Sequence, residues 1–330
     1  MKKKFGVGFI LFSFLFINIA HANAASGNEF GNLYYVKTGD SLEEIAVKFE
    51  TTVKDLKATN GLQTNLLFVG QKLKVPVNYE VEAGDTLQKI ATLFNTTVET
   101  IKITNGLSPE ALTVGQKIKI SPKRMSIEGQ HILMTQGEFK EWLLNNKFNR
   151  KINVIQQHHT WSPSYKHFKG GNHFSLLQGM ENYHRQTMKW NNIAQNITTF
   201  PDGKIAVSRP FNVAPEGTIG WGANYAGIMI EHVGNFDQGF DVMTKEQKET
   251  IVYITALLCI KFGLTPSIDT ITYHHWWDLR TGNRVLDNSK EAAVKTCPGT
   301  AFFGGNTTKS ATQYFYPLVS NKMKEIRTEQ

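Results

Sequence analysis

Three short segments carry side chains that could bind one metal ion. The first contains the pair His158-His159, the second contains the pair His274-His275, and the third contains Cys297. Two imidazoles and a thiolate are the ligand set of a three-coordinate zinc that keeps its fourth position open for water. If the three segments meet in space, these residues support metal-assisted hydrolysis.

Two charged residues near these segments could supply the remaining chemistry. Glu231 follows three apolar residues in a predicted strand, and Lys295 stands two residues before Cys297. A carboxylate in an apolar strand is costly unless it is paired, neutral or near a metal. Glu231 is therefore a candidate proton carrier, with a buried structural salt bridge as the alternative. Lys295 is either a catalytic cation or an ordinary surface charge.

The elements that must position these residues are three predicted strands. Apolar runs over residues 152–158, 227–233 and 268–273 predict the strands, and helical or loop segments separate them. This alternation indicates an α/β domain with a central mixed sheet flanked by helices. Each histidine alone could be an ordinary polar group at a strand end. Loops at strand ends face a common crevice, so the candidate residues are expected to lie close together.

The two cysteines predict different environments. Cys259 lies in a helix predicted from Thr244 to Gly263, where it shares an apolar face with its neighbours. Cys297 lies in a polar loop, which suits a reactive or metal-bound thiolate. A disulfide between the two cysteines is the alternative. The chain has only these two cysteines, which excludes a disulfide framework.

Residues 1–24 are predicted to be a signal peptide. Three lysines at positions 2–4 precede an apolar run over residues 5–20, and Ala-Asn-Ala follows at residues 22–24. The run is shorter than the roughly 20 residues that a membrane-spanning helix needs. An uncleaved membrane anchor is the alternative. We therefore expect a secreted protein with no stable membrane insertion after signal cleavage.

The charge of the chain is mildly basic. The net charge is +8, and the three signal lysines account for part of it, which leaves about +5 after cleavage. This charge suits an anionic polymer such as a bacterial wall, and nucleic acid is a poor partner for a secreted protein. At 330 residues the chain predicts two or three modules, and a monomer is the default expectation.

An internal repeat precedes the candidate site. Gly39-Asp40-Ser41-Leu42 returns 45 residues later as Gly84-Asp85-Thr86-Leu87, and Val-Gly-Gln-Lys-Leu at residues 69–73 returns as Val-Gly-Gln-Lys-Ile at residues 114–118. Each copy predicts the order strand, helix, helix, strand, with the first strand of copy 1 ending at Gly39-Asp40. Neither copy contains a histidine or a cysteine, so binding is expected rather than hydrolysis.

Both copies resemble LysM modules, which we place at residues 34–76 and 79–121. The resemblance implies binding of glycans that contain N-acetylglucosamine, in a shallow groove. The alternative is that the same residues serve only turns and helix caps. The groove residues implied by the resemblance are Gly39, Asp40, Ser41, Asn60 and Leu62 in the first copy and Gly84, Asp85, Thr86, Asn105 and Leu107 in the second.

Residues 122–134 are predicted to be a linker, whose polar part from Pro122 to Gly129 should be exposed. A second folded region is expected over residues 135–320. It opens with a helix, because Thr135 and Glu138 have the spacing of a capping box.

Residues 135–320 resemble the zinc-dependent N-acetylmuramoyl-L-alanine amidases, a family that includes the peptidoglycan recognition proteins. The matching motifs are His158-His159-Thr160, the later His274, and Lys-Thr-Cys-Pro-Gly at residues 295–299. The resemblance implies one Zn²⁺ held by His158, His274 and Cys297. It also implies that Glu231 transfers the proton and that Lys295 stabilises the oxyanion.

Two departures from the family pattern stand out. Many members carry a tyrosine where this chain has Gln195, and the gap from His274 to Cys297 is longer than usual. We expect the additional residues, which run from Trp276 to Ala292, to shape the substrate groove. Adjacent strand residues point to opposite faces, so alternation alone does not select a histidine from either pair. The family spacing favours His158 and His274.

Three functions are consistent with these features. The first is a secreted, cell-wall-associated amidase that cleaves the bond between N-acetylmuramic acid and L-alanine and is held on peptidoglycan by its LysM modules. The second is a zinc peptidase that acts on the peptidoglycan stem peptide. The third is a non-catalytic peptidoglycan-binding protein.

Overall fold

The computed structural model describes residues 32–107, 112–217, 219–288 and 291–328. The predicted signal peptide, residues 1–24, lies outside the described residues. Within those ranges, no helix has the length and apolar character needed to cross a membrane. The chain forms two compact units. One contains residues 75–123, and the other combines residues 35–74 with residues 124–330.

Each repeat folds as predicted, in the order strand, helix, helix, strand. The elements of the first repeat are β1 (Leu33–Tyr35), α1 (Leu42–Lys48), α2 (Val53–Asn60) and β2 (Lys72–Lys74). Those of the second are β3 (Val77–Glu80), α3 (Leu87–Leu93), α4 (Val98–Asn105) and β4 (Lys117–Ile120). The two strands of each repeat pair with each other. β1 ends at Tyr35, several residues before the predicted position at Gly39-Asp40, and a turn lies at Thr38-Gly39.

Side-chain caps fix the helices of the repeats. Ser41 accepts a hydrogen bond from the backbone N–H of Glu44, whose carboxylate accepts one from the N–H of Ser41. Thr86 caps the corresponding helix of the second repeat. The apolar faces of the helices cover small cores, in which Leu42, Ile45, Leu56 and Leu73 of the first repeat are buried.

The remaining elements form an α/β domain around a seven-stranded mixed sheet. Its strands are β5 (Ser126–Glu128), β6 (His131–Met134), β7 (Val154–His159), β8 (Ile197–Thr199), β9 (Ile205–Val207), β10 (Gly227–His232) and β11 (Ile271–Tyr273). Its helices are α5 (Gln136–Asn145), α6 (His173–Asn182), α7 (Trp221–Ala226), α8 (Lys245–Phe262), α9 (Thr308–Ser310) and α10 (Tyr316–Thr328). The strand order is β11-β7-β10-β8-β9-β6-β5, and the first four strands run parallel to one another. This architecture confirms the predicted fold class.

The prediction of a linker at residues 122–134 was wrong for residues 126–134. Residues 126–134 form the hairpin β5-β6, which adds two antiparallel strands to one edge of the sheet. β6 is largely buried, and its Ile132 and Met134 enter the main core. β5 is exposed, so its short polar sequence gave no strand pattern.

The two faces of the sheet have different partners. Ile228 and Ile230 of β10 enter the main core with residues of α5, α8 and α10. Glu231, the next residue along the strand, faces the opposite side of the sheet. α8 confirms the helix predicted from Thr244 to Gly263. Thr244 caps it, but the side chain of Gln247 reaches the backbone oxygens of Thr199 and Val233 instead of completing a capping box. The face turned away from α8 is therefore available for a site.

Candidate metal centre and catalytic cavity

The structure brings His158, His274 and Cys297 together. One possible ligand atom from each of the three residues lies within 4.8 Å of the other two. The two imidazole centroids are 4.8 Å apart, and Cys297 Sγ is 3.6 Å from His158 Nδ1. His158 lies in β7, His274 directly follows β11, and Cys297 lies in a later loop. The neighbouring parallel strands β7 and β11 thus place two of the three groups at the carboxyl ends of the sheet strands.

The structure separates the members of each histidine pair. His159 turns the other way, and its Nδ1 accepts a hydrogen bond of 3.0 Å from the backbone N–H of Phe236. His275 donates from Nδ1 to the carbonyl oxygen of Lys295 at 2.6 Å. Of these four histidines, His158 and His274 are therefore the two that join the cluster with Cys297.

Gln156 orients the ring of His158. The amide of Gln156 donates from Nε2 to the backbone oxygen of Ala223, which leaves Oε1 as an acceptor. His158 Nε2 lies 3.4 Å from that oxygen and donates to it. With the proton on Nε2, the lone pair of Nδ1 is directed at Cys297. Metal-binding histidines commonly have a hydrogen-bond partner that orients the ring, as Gln156 does here. Gln156 was not predicted as a site residue, although its position two residues before His158 places it on the same strand face.

The two cysteines are both free thiols, so the alternative disulfide between them does not form. Cys259 is buried within α8, and burial raises the pKa of its thiol to about 12. Burial also raises the pKa of Cys297 well above its ordinary value. Unlike Cys259, Cys297 has imidazoles beside it and accepts a hydrogen bond of 3.3 Å from the backbone N–H of His159.

Glu231 lies beside this cluster without a salt bridge among the described residues. It pairs in register with His158 across β10 and β7, and its carboxylate faces the cavity. Oε2 is buried and has no hydrogen-bond partner within the described chain. Burial raises the pKa of Glu231 to about 8, and the positive charge of Lys295 opposes part of this rise. The alternative of a buried structural salt bridge is thus not what the structure shows.

This donor set fits a metal cation. Burial lowers the pKa of His158 well below its ordinary value, which keeps the imidazole neutral and able to bind a metal. The thiol of Cys297 and the carboxyl of Glu231 both favour their protonated forms in the absence of a cation. A nearby cation would stabilise their anionic forms and oppose both shifts. Two imidazoles and a thiolate are ligands that zinc accepts.

A cavity of about 890 Å³ opens over the cluster. Its floor contains Glu231, His274 and Cys297, and the exposed Lys295 lies on its wall. The opposite wall comes from α6 and the π-helical turn that continues it over Tyr183–Thr187. That wall and the rim contribute further residues that the sequence analysis did not identify: Trp161, His167, Leu176, Met180, Tyr183, His184, Met188 and Trp190. No local motif marks these residues, because they come together only when α6 packs over the sheet.

Gln195 occupies the floor of the same cavity and is fully buried. Its Nε2 donates to Thr198 Oγ1 at 3.1 Å, while Oε1 has no hydrogen-bond partner within the described chain. Thr198 pairs in register with Glu231, so the amide lies close to the candidate proton carrier along the sheet. The position thus retains a polar group, although it lacks a tyrosine hydroxyl.

The expectation that residues 276–292 shape the substrate groove was wrong. None of the described residues in this segment lines the cavity. Trp276 is buried in the main core, where it stacks on Tyr273 and donates to the backbone oxygen of Asn306. Trp277 donates to Thr272 Oγ1. Both tryptophans therefore pack in or against the main core instead of lining the cavity.

The predicted groove residues of the two repeats are used by the fold itself. Asp40 accepts from the N–H of Lys37, and Asp85 accepts from the N–H of Glu82. Asn60 and Asn105 each bridge a helix to the last strand of their repeat through two donated hydrogen bonds. Gly39 and Gly84 have positive φ angles in matching turns, Ser41 and Thr86 cap helices, and Leu62 and Leu107 follow the glycines that end α2 and α4. Turn and cap functions therefore account for the conserved spacing between the two copies, and glycan binding stays a prediction.

Comparison with family models assigns the parts of the chain. A model described as LysM domain matches residues 34–76 and 79–121. A model described as N-acetylmuramoyl-L-alanine amidase matches residues 148–300, which include the whole metal cluster and Glu231. The chain therefore carries two LysM domains and one amidase-family domain.

Individual relatives match over short segments. N-acetylmuramoyl-L-alanine amidase sle1 of Staphylococcus epidermidis is 46% identical over 54 residues, which cover 16% of this chain and 17% of that protein. The probable peptidoglycan endopeptidase LytE of Bacillus subtilis is 55% identical over 42 residues, or 13% of either chain. The chain thus spans less than a fifth of the length of these curated relatives.

Two solved structures, a peptidoglycan recognition protein and an amidase, have low overall similarity to this chain. Drosophila PGRP-LB has 18% identity and a TM-score of 0.38, with 52% of this chain and 85% of that chain covered. N-acetylmuramoyl-L-alanine amidase LysC from Clostridium intestinale has 22% identity and a TM-score of 0.34, with 47% of this chain and 80% of that chain covered.

Proposed function

We propose that this protein is a secreted peptidoglycan hydrolase. Its amidase domain would cleave the amide bond between N-acetylmuramic acid and L-alanine, and its LysM domains would hold it on glycan strands that contain N-acetylglucosamine. The observation that carries the proposal is the cluster of His158, His274 and Cys297 beside Glu231, in which His274, Cys297 and Glu231 line an open cavity of the amidase domain. The LysM domains and the amidase domain both indicate peptidoglycan as the polymer on which the protein acts.

His158 Nδ1, a nitrogen of His274 and Cys297 Sγ would hold Zn²⁺. The ring of His158 is already oriented by Gln156, and the backbone N–H of His159 stabilises negative charge on Cys297 Sγ. When bound, Zn²⁺ supplies Lewis acidity, which polarises the scissile carbonyl and lowers the pKa of a water molecule. A cavity of this size also leaves room for both sides of the scissile amide above the floor.

Glu231 would move the proton. Its unpartnered Oε2 faces the reaction space, so it can accept a proton from the attacking water and give it to the leaving amine of L-alanine. A carboxylate whose pKa is raised by burial is suited to both halves of this transfer. Lys295, on the cavity wall, would stabilise negative charge on the carbonyl oxygen during attack.

The location of peptidoglycan determines where the reaction would take place. Peptidoglycan lies outside the cytoplasmic membrane, so the proposal includes export by the signal peptide predicted at residues 1–24. Binding of the LysM domains to the glycan raises the local concentration of the amidase domain at its substrate without altering the chemistry. A mildly basic chain suits an anionic wall.

The test is digestion of purified peptidoglycan with and without a zinc chelator, followed by identification of the new ends. The proposal expects muramic acid residues with free lactyl groups together with new N-terminal alanine, and it expects both to disappear with the chelator and return with added zinc. New ends within the stem peptide would instead identify a peptidase. Retained binding without cleavage at any zinc concentration would identify a binding protein and refute the proposal.

A further inference from the structure

The first LysM repeat packs directly on the amidase domain within one compact unit. The contacts run from α2 to β2 on the repeat side and mainly involve the start of the amidase domain and α5. They consist of the ion pairs Arg124–Asp55 and Lys74–Glu141 and hydrogen bonds from Met125 N to Ala58 O, Gln63 Nε2 to Gln130 O and Ser208 O, Gln71 Nε2 to Asn146 Oδ1, Trp142 Nε1 to Gly61 O, and Lys147 Nζ to Val69 O.

Trp142 forms the centre of this contact. Its ring is part of the main amidase core, and its indole N–H donates to the backbone oxygen of Gly61 at 3.1 Å. A Cβ on Gly61 would lie 2.7 Å from Met125 Sδ and 3.0 Å from the Trp142 ring, so the two surfaces touch without space for a side chain. A buried indole N–H without this acceptor would carry a desolvation cost. The repeat therefore completes the core of the amidase domain.

The second repeat provides an internal comparison, because its residues match those of the first at an offset of 45. Gly106 corresponds to Gly61 and has the same φ of 59°, yet no described atom lies within 4 Å of a Cβ placed on it. Gln71 and Gln116 each accept a backbone hydrogen bond within their own repeat, from Phe68 and Thr113. Gln71 also donates a buried hydrogen bond to Asn146 Oδ1 of the amidase domain.

A path of hydrogen bonds leads from the first repeat to the catalytic cavity. Gln63 Nε2 donates to the backbone oxygens of Gln130 and Ser208 at 2.9 and 2.6 Å. The side chains of Gln130 and Asn192 then exchange two hydrogen bonds of 2.6 and 2.9 Å. Asn192 lies between Trp190 and Gln195, which both line the cavity. The repeat thus braces the segment that forms this part of the cavity wall.

We propose that the first LysM repeat is a fixed structural part of the catalytic unit, which completes the amidase core at Trp142 and braces the cavity wall through Gln63. Gln63 is a positioning residue in this arrangement, since it acts through Gln130 and Asn192.

Unfolding tests the structural half without any assumption about activity. All six tryptophans of the chain lie outside both repeats, so tryptophan fluorescence reports only the amidase domain. In the full-length protein, Gln71→Ala should lower the fluorescence-detected midpoint of thermal unfolding by about 2–4 °C. The matched variant Gln116→Ala should leave that midpoint unchanged, because it removes only a bond within its own repeat. An unchanged midpoint for Gln71→Ala, or equal shifts for both variants, would overturn the proposal.

Kinetics test the bracing half, which rests on the proposed amidase function. Gln63→Glu keeps the size of the side chain but turns a carboxylate towards two carbonyl oxygens, so KM for soluble muropeptide should rise about fivefold while kcat and zinc content stay the same. Gln63→Lys restores a donor and should return KM to the wild-type value. If Gln63→Glu is active and its KM equals that of the wild type, the proposed bracing of the cavity wall by Gln63 is wrong. A wild-type protein without hydrolysis would instead refute the proposed function, and the unfolding comparison would still decide the docking.

Discussion

Glu231 lies directly opposite His158 across the parallel strands β10 and β7. Both side chains are on the sheet face turned away from α8, where the cavity opens. Backbone hydrogen bonds of the sheet thus fix a candidate proton carrier beside a candidate metal ligand without the help of a loop. A slip of one residue in this register would turn Glu231 into the core, so the strand pairing itself specifies the site.

Replacing Glu231 with glutamine is expected to abolish hydrolysis while metal binding is retained. The amide has the size of the carboxylate but cannot accept a proton, and loss of such a general base costs about 10²–10⁴-fold in kcat. The rate is measured as new amino termini released from peptidoglycan, and zinc is measured by atomic absorption in the same samples. Glu128→Gln, on the exposed strand β5, serves as the control and should be fully active. Wild-type activity of Glu231→Gln would exclude this carboxylate from proton transfer.

The paired histidines give a matched test of the metal centre. His158→Ala and His274→Ala should lose zinc and activity together, because each removes one of three ligands. His159→Ala and His275→Ala should keep zinc, since those rings bond to the backbone of Phe236 and Lys295 instead. Zinc content after dialysis against a weak chelator distinguishes the four variants. Zinc loss in His159→Ala with zinc retained in His158→Ala would reverse the assignment.

The sequence predicted the parts of the fold that depend on local pattern. Alternating apolar segments identified β7, β10 and β11, and the repeat of 45 residues identified both LysM domains. It failed at residues 126–134, because β5 is a short exposed edge strand whose residues have no apolar period. It also failed for Trp276, whose apolar side chain suited a groove as well as a core.

Two features of the site depended on tertiary structure. The choice between His158 and His159 requires knowledge of which sheet face α8 covers, and no local signal gives that. The docking of the first LysM repeat requires Trp142 and Gly61, which are 81 residues apart, to meet. Both are set by packing between elements, so apolar periodicity indicates neither, and only the histidine spacing of the resembling family favoured His158.

Lys295 is expected to set the acid limit of activity. Its positive charge opposes the burial that raises the pKa of Glu231 to about 8, so Lys295→Met should raise that pKa further. Proton transfer needs the carboxylate form, and kcat/KM falls as pH drops through this pKa. The acid limb of the pH profile should therefore move to higher pH. The plateau should fall by about 10²-fold because stabilisation of the oxyanion is lost.

The matched variant for this experiment is Lys295→Arg, which keeps the charge. Its acid limb should stay at the wild-type pH even if its plateau changes, because the electrostatic effect on Glu231 depends on charge rather than on shape. Profiles measured at constant ionic strength compare the three proteins. A limb that moves equally in both variants, or that moves to lower pH in Lys295→Met, contradicts the role given to the charge.

Two histidines outside the metal-ligand set, the buried His232 and the partly buried His184, are expected to make the fold sensitive to acid. Burial lowers the pKa of His232 to about 3 and that of His184 to about 4. The unfolded chain binds protons at histidines near pH 6.5, whereas the folded chain does not until the pH is much lower. Because the unfolded state binds more protons in this window, the free energy of unfolding should fall as pH drops from about 6.5 to 4.

His232→Gln isolates one contribution to this slope. His232 bonds to Thr199 Oγ1 and Gln157 Oε1, so the substitution should lower stability at pH 7. The variant can no longer gain a proton at this position on unfolding, and its stability should therefore depend on pH less steeply, by up to about 1.4 kcal/mol per pH unit below pH 6. Urea unfolding of both proteins between pH 4.5 and 7.5, at equal zinc concentration, measures the difference. Parallel curves would show that His232 is protonated equally in the folded and unfolded states, because only a difference in bound protons changes the slope.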